Sequence, residues 1–94
     1  MSLDLPKEHQ LRYLSKRAAD IDAIINGVAI GNFEVAVMIG HRLKGSGETF
    51  GFPLITTYGN TIEQAGIAGD KAKILATVEL LSESVQNYLK EMQT

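Results

Sequence analysis

Cysteine and tryptophan are absent from this 94-residue chain, proline occurs twice, and aromatic residues make up only 6%. Without cysteine, the chain has no disulfide, zinc–thiolate site, iron–sulfur cluster or thiol nucleophile. No apolar run approaches the roughly 18 residues of a membrane span, and residues 1–6 show no signal-peptide pattern. We therefore expect a cytoplasmic protein that does not insert into a membrane.

The remaining composition is that of an ordinary globular protein. Apolar residues make up 45% and charged residues 21%, which argues against disorder. The length suits one domain with one core, so we expect a single domain over residues 1–94. The net charge of −2 argues against a strongly basic nucleic-acid-binding protein.

A helical period dominates the apolar pattern, and no segment alternates like a strand. Glycine and proline mark the breaks between segments. The pattern predicts helices over residues 7–27, 33–50, 53–67 and 71–92. Because short connections join antiparallel neighbours, the expected fold is all-α, an up-down antiparallel four-helix bundle.

The same spacing predicts which side chains form the core and which residues begin the helices. In the first helix the apolar stripe includes Ala18 and Ile25, and in the third it includes Leu54 and Tyr58. Asn32 is the expected N-cap of the second helix. Asp70 is the expected N-cap of the fourth helix.

The second helix carries a histidine on the side opposite its core stripe. At about 100° per residue, His41 points to solvent when Ile39 and Leu43 face inward. An exposed imidazole has an ordinary pKa of about 6.5, so a ring nitrogen offers a lone pair at neutral pH. Further residues fall on or beside the His41 face: Glu34, Val37, Met38, Arg42, Lys44, Gly45 and Glu48.

Two neighbours of His41 suit phosphoryl chemistry. Lys44 is one helical turn away on the same side, where its ammonium can offset the charge of a phosphoryl group. Gly45 is also outward-facing, so core packing does not explain the missing side chain, whereas access for a partner's active site does. The apolar Val37 and Met38 at exposed angles suit docking of a partner.

The sequence around His41 resembles the histidine phosphotransfer (HPt) family. Residues 40–47 read Gly-His-Arg-Leu-Lys-Gly-Ser-Gly, followed by Phe-Gly-Phe-Pro-Leu at 50–54, and are similar to the family's His-x-Leu-Lys-Gly core and downstream glycine. Residues 31–34, Gly-Asn-Phe-Glu, resemble its Gly-Asp-Phe/Trp-Glu lead-in. Ile-Glu-Gln-Ala at 62–65 resembles its next helix. The resemblance spans residues 11–89.

The resemblance implies a phosphorelay carrier. His41 would accept a phosphoryl group from the aspartyl phosphate of one receiver domain and pass it to another, with Lys44 beside the phosphohistidine and Gly45 giving access. The receiver would supply Mg²⁺, so the chain needs no metal or cofactor of its own. Gly40 and Glu48 depart from the family pattern, which bears on partner choice. We expect a monomer whose partners are receiver domains of response regulators or hybrid kinases, not nucleic acid.

Other readings remain open. A degenerate relative would bind signalling partners through Val37, Met38 and Gly45 without phosphate chemistry, and a purely structural bundle is a third possibility. No ATP-binding motif occurs, so an autonomous kinase is not expected. His9 reads as a solvated residue. Arg12, Lys16 and Arg17 form a basic face that we interpret as solvated.

Overall fold

The computed structural model describes residues 6–93, and within this range every regular element is an α-helix. The four helices are α1 (Lys7–Ala29), α2 (Glu34–Ser46), α3 (Pro53–Ala68) and α4 (Lys71–Met92). The prediction from residues 1–5 that no signal peptide is present lies outside the described range. Within residues 6–93, no helix is both long enough and apolar enough to cross a bilayer.

The helices pack around one apolar core to which all four contribute. In the main helix contacts, α1 lies against α2 and α4, and α3 lies against α2 and α4. Burying such side chains contributes roughly 1.5–3 kcal/mol each. The largest fully buried side chains are Leu14, Ile24, Val28, Leu43, Ile55, Ile62, Ile74 and Leu81.

Local sequence signals explain most helix ends. Pro53 occupies the first turn of α3, where its missing N–H costs no hydrogen bond. Gly69 ends α3 with a left-handed φ of 66°, and the Asp70 carboxylate accepts a hydrogen bond from the Lys73 amide at 3.1 Å. The predicted Asp70 cap is therefore confirmed. The predicted Asn32 cap is wrong, because Phe33 occupies that position and no side chain caps α2.

The second helix ends four residues earlier than expected. It stops at Ser46, and residues 47–51 form a turn in which the Phe52 amide donates to the Gly47 carbonyl at 2.8 Å. Gly51 has φ +93°, a left-handed conformation that favours glycine. Phe50 continues the apolar spacing of α2, but its ring stacks on Tyr13 of α1 at 4.3 Å from within this turn.

The predicted core faces of α1 and α3 are partly rotated. Leu54 and Ile25 were expected to face inward but are 44% and 41% exposed, whereas Ile55 and Ile24 are completely buried. Ala18 is also exposed, and Tyr58 is only half-buried. The expected stripe on α4 is largely correct, since Ile74, Val78, Leu81 and Val85 are buried.

Glycines allow the backbones of α2 and α3 to approach each other closely. A Cβ atom added to Gly40 would lie 2.6 Å from the Glu63 amide nitrogen and 2.8 Å from the Gly59 carbonyl oxygen. A Cβ on Gly59 would lie 2.6 Å from the Lys44 amide nitrogen. These distances are shorter than van der Waals contact, so glycine at 40 and 59 sets the spacing of the two backbones.

Candidate functional site

His41 lies on the outer side of α2, opposite the core. Ala36, Ile39 and Leu43 of the same helix are buried, as the periodicity predicts. The His41 side chain is 72% exposed. Its imidazole is therefore accessible to a protein partner.

A carboxylate of the neighbouring helix holds the His41 ring. His41 Nδ1 lies 2.8 Å from Glu63 Oε2, a hydrogen bond between residues 22 positions apart in the sequence. Glu63 is in α3, and its side chain is only 11% exposed. The close spacing of α2 and α3 at Gly40 brings the two groups within reach, since Gly40 is adjacent to His41 and packs on the Glu63 backbone.

Lys44 binds the second oxygen of the same carboxylate. Its Nζ lies 3.5 Å from Glu63 Oε1, and its side chain is 46% exposed. Glu63 thus bridges the imidazole and the ammonium, one on each oxygen. The two residues that the sequence placed one turn apart on α2 are joined here through α3.

The environment of Glu63 favours its ionised form. The hydrogen bond with His41 lowers the pKa of the Glu63 carboxyl below its usual 4.5, and the positive charge of Lys44 lowers that pKa further. Partial burial raises the pKa of Glu63, but the net shift of this pKa is downward. Glu63 is therefore a carboxylate acceptor at neutral pH.

A lowered folded-state pKa predicts a pH-dependent contribution of Glu63 to stability. The contribution is present above the unfolded-state value near 4.5 and is lost as pH falls through the lower folded-state pKa. We expect Glu63→Gln to lower the free energy of unfolding at pH 7. The difference from wild type is expected to shrink steadily below about pH 4.5, as measured by urea denaturation at a series of pH values.

Glu83→Gln is the matched control for this pH series. Glu83 is an exposed carboxylate of α4 that makes no ion pair within the described chain. Its variant should follow wild type at every pH. A gap between wild type and Glu63→Gln that stays constant from pH 7 to pH 3 would contradict the assignment of the effect to the ionised carboxylate.

The hydrogen bond to Glu63 also determines the tautomer of His41. A carboxylate only accepts, so His41 Nδ1 carries the proton and donates it. In the neutral ring the lone pair is then on Nε2. Among residues 6–93, no group forms a hydrogen bond with Nε2. The ring thus presents an unengaged nucleophilic nitrogen.

The residues predicted to flank His41 differ in their exposure. A Cβ atom on Gly45 would meet nothing within 4 Å, so Gly45 lies at an open surface. Met38 is 62% exposed. Val37 was expected to be exposed but is half-buried, because it packs against Gly66 of α3.

The charged residues predicted around His41 are only partly brought to it. Arg42 forms an ion pair with Asp20 of α1 at 3.7 Å, which directs its guanidinium towards α1. Glu34 is exposed in the first turn of α2. Glu48 lies beyond the end of α2, where its amide donates to Thr56 Oγ1 at 2.8 Å. Glu48 therefore does not extend the helical face of His41 as expected.

Sequence reasoning gave no role to Glu63. The predicted stripe of the third helix gave no signal for this residue, since Glu63 lies about 100° beyond Ile62 and falls on the outward side of that stripe. The structure buries Glu63, and acidic side chains are seldom buried without a partner. Identifying His41 as that partner required the register between α2 and α3.

The described residues contain no group of three or more histidine, aspartate or glutamate side chains that could hold a metal ion. Comparison of the chain with family models, curated proteins and solved structures found no match. Functional inference therefore depends on the geometry at His41 and on the sequence motif around it.

Proposed function

We propose that this chain is a histidine phosphotransfer protein that carries a phosphoryl group on His41. The phosphoryl group comes from an aspartyl phosphate of one receiver domain and goes to the aspartate of another. The observation that carries the proposal is the exposed His41 ring, held at Nδ1 by a carboxylate so that Nε2 is the nucleophile. The chain acts as a carrier and has no ATP site of its own.

In the transfer step, one bond to phosphorus forms while another breaks. The Nε2 lone pair attacks phosphorus, an N–P bond forms, and the bond from phosphorus to the aspartyl oxygen breaks, releasing the receiver's carboxylate. The ring keeps its Nδ1 proton and becomes positively charged. Glu63, 2.8 Å from Nδ1, stabilises that charge as a carboxylate does in a catalytic triad. The reverse sequence returns the phosphoryl group to a second receiver.

We also propose that the fold is an up-down antiparallel bundle. The proposal depends on the sequence order in which residues of neighbouring helices meet. Residues 37 and 40 of α2 and residue 47 directly after it approach residues 66, 59 and 56 of α3 in reverse order. Tyr13 OH bonds Ser46 Oγ at 2.7 Å, while Gly27 lies against Val35. These pairs support opposite directions for α1 and α2 and for α2 and α3.

Apolar side chains beside His41 support docking of a protein. Met38 lies one turn from His41 on α2 and is 62% exposed. Ile67 lies one turn from Glu63 on α3 and is 65% exposed. Gly45 leaves the other side of His41 open. A receiver domain would cover these residues when it brings its aspartyl phosphate to Nε2.

Lys44 has a secondary role in this mechanism. Its ammonium is held near the site by Glu63, and it is long enough to turn towards the oxygens of a phosphoryl group on His41. Loss of a preorganised donor in a buried site costs about 10²–10³-fold in rate. Because Lys44 is nearly half exposed, we expect Lys44→Ala to slow transfer by about tenfold to thirtyfold without abolishing it.

Rapid-quench measurement of single-turnover transfer from a phosphorylated receiver checks the Lys44 prediction. Lys71→Ala is the control, since Lys71 is an exposed lysine at the start of α4. An unchanged rate in Lys44→Ala would remove this residue from the mechanism. A complete loss of transfer would show that the residue does more than offset charge.

The proposed function is tested by incubating the chain with a panel of receiver domains charged by a small phosphodonor. The expected product is an acid-labile, base-stable phosphoryl adduct located at His41 by mass spectrometry. Absence of an adduct across a broad panel, with tight binding to one member, would favour the alternative of a phosphorylation-independent interaction module. Absence of both would overturn the proposal.

A further inference from the structure

Positive charge is concentrated in the first half of α1. Four of the nine Lys and Arg residues lie within positions 7–17, against the single acid Glu8. This stretch has a formal charge of +3 in a chain of net charge −2, which leaves −5 for the remaining residues. The hydrogen bonds and ion pairs of His41, Lys44 and Glu63 involve none of these four cations.

The basic residues share one face of α1 and line a groove. His9, Arg12, Tyr13, Lys16 and Arg17 follow the i, i+3, i+4, i+7, i+8 spacing of a single helix face. With Phe50 from the turn after α2, they line an open, shallow hollow of about 350 Å³. The Gln10 side chain donates to the Phe50 carbonyl at 2.8 Å and fixes that turn against α1.

The positively charged side chains of this groove differ in whether they pair with a carboxylate of the chain. Arg17 lies over the Tyr13 ring at 4.1 Å and pairs with Asp20 at 3.2 Å. Arg12 and Lys16 are exposed and form no ion pair within the described part of the chain. Two charges on one turn of helix, without a carboxylate of their own, provide charge complementarity to an anionic ligand.

A second hollow continues the groove towards His41. It has a volume of about 440 Å³ and shares Tyr13 and Arg17 with the first. Arg42 and Gly45, both neighbours of His41 on α2, line its far side. Asp20 is the acid in this hollow, and both Arg17 and Arg42 pair with it. The groove therefore leads from the basic face of α1 to the edge of the His41 face.

The shape of the groove favours an extended polypeptide. From position 9 to position 20 of α1 the distance is about 16 Å at 1.5 Å per residue, which matches about five residues of extended chain at ~3.3 Å each. The Tyr13 ring is buried and contacts Phe50 and Arg17. No free face of Tyr13 is thus available to stack a nucleic-acid base, as single-strand binding sites require.

We infer that this groove binds an acidic, extended segment of a protein partner, with Arg12 and Lys16 as the principal contacts. Because the groove reaches Gly45, one partner is able to occupy both the groove and the His41 face. Binding in the groove does not depend on phosphoryl transfer, so His41→Gln is expected to bind such a segment as wild type does.

The test uses a fluorescein-labelled peptide with a central run of five glutamates and a second peptide with five glutamines. Fluorescence anisotropy at low ionic strength should show binding of the glutamate peptide alone, weakening as salt is added. Arg12→Glu/Lys16→Glu should weaken this binding at least tenfold. The control Lys71→Glu/Lys73→Glu makes the same change in net charge on α4 and should weaken it less than twofold.

Further readouts separate the possible outcomes. Amide chemical shifts should change at positions 9–17 and 50 on addition of the glutamate peptide. If the charge-reversed groove variant is unfolded by circular dichroism, Arg12→Gln/Lys16→Gln replaces it with the same expectation. Equal losses in both double variants, or no binding by wild type, would overturn the inference. Tighter binding of a thymidine oligonucleotide than of the peptide would reassign the groove to nucleic acid.

Discussion

His41→Gln is expected to abolish phosphorylation of this chain while leaving its fold intact. Glutamine has no nucleophilic ring nitrogen, so no N–P bond can form at position 41. The side chain it replaces is 72% exposed, and exposed substitutions usually change stability by about 0.5 kcal/mol or less. Loss of the hydrogen bond to Glu63 should lower the free energy of unfolding, but Lys44 remains to pair with the carboxylate. The adduct found by mass spectrometry should disappear, with the circular dichroism spectrum unchanged.

His9→Gln is the matched control, because His9 is the other histidine of the chain. It is exposed near the start of α1, remote in sequence from the α2–α3 contact. This variant should form the adduct at the wild-type rate. An adduct that persists in His41→Gln would place the phosphoryl group elsewhere, and an unfolded His41→Gln protein would contradict the exposed position of the ring.

Alanine at two glycines of α2 is expected to change stability in opposite directions. At position 40 the new methyl group would lie 2.6 Å from the Glu63 amide nitrogen, and the contacted atoms are backbone that cannot rotate away. Overpacking of this kind costs about 1–3 kcal/mol, partly offset by the gain of about 1 kcal/mol in helix propensity. At position 45 the methyl group meets nothing within 4 Å, so only the gain remains.

Thermal unfolding followed by circular dichroism measures both effects. For a chain of this size, 1 kcal/mol corresponds to about 4–8 °C in Tm. We expect Gly40→Ala to lower Tm by several degrees, Gly40→Val to lower it further, and Gly45→Ala to raise it by a few degrees. Equal Tm changes for Gly40→Ala and Gly45→Ala would mean that α2 and α3 are not in close contact at Gly40.

The helices themselves were largely predictable from the sequence, because their ends depend on local signals. The apolar period of α4 and the cap at Asp70 predicted its bounds, and the structure places them at Lys71–Met92 as expected. The end of α2 was not predictable from periodicity. Phe50 keeps the helical spacing, yet it contacts Tyr13 from a turn. Sequence spacing alone does not distinguish such a residue from one that lies within the helix.

Core faces were harder to predict where neighbouring positions are both apolar. In α1, Ile24 and Ile25 are adjacent, and in α3 Leu54 and Ile55 are adjacent, so a rotation of one residue satisfies the same pattern. Packing against the other helices resolves the choice, burying Ile24 and Ile55. The outward direction of His41 was predictable because Ile39 and Leu43 define the inner side of α2 without such ambiguity.

Local sequence patterns could not identify Glu63 as the hydrogen-bond partner of His41. Glu63 reaches the imidazole only at one register of α2 against α3, and that register depends on the glycine contacts at positions 40 and 59. Nothing in the spacing of 22 residues indicates a hydrogen bond. Long-range pairs of this kind follow from tertiary packing.

Because Glu63 of α3 fixes the proton of His41 on Nδ1, the folding of the chain determines when the histidine is ready to react. A peptide containing residues 34–48 alone would possess the histidine, the lysine and the glycine, but no carboxylate would hold its ring. The preferred tautomer therefore appears only after α2 and α3 have docked. Under the proposed function, a partly folded chain would present the motif without the oriented nucleophile, so the docking of α2 on α3 would have to precede phosphoryl transfer.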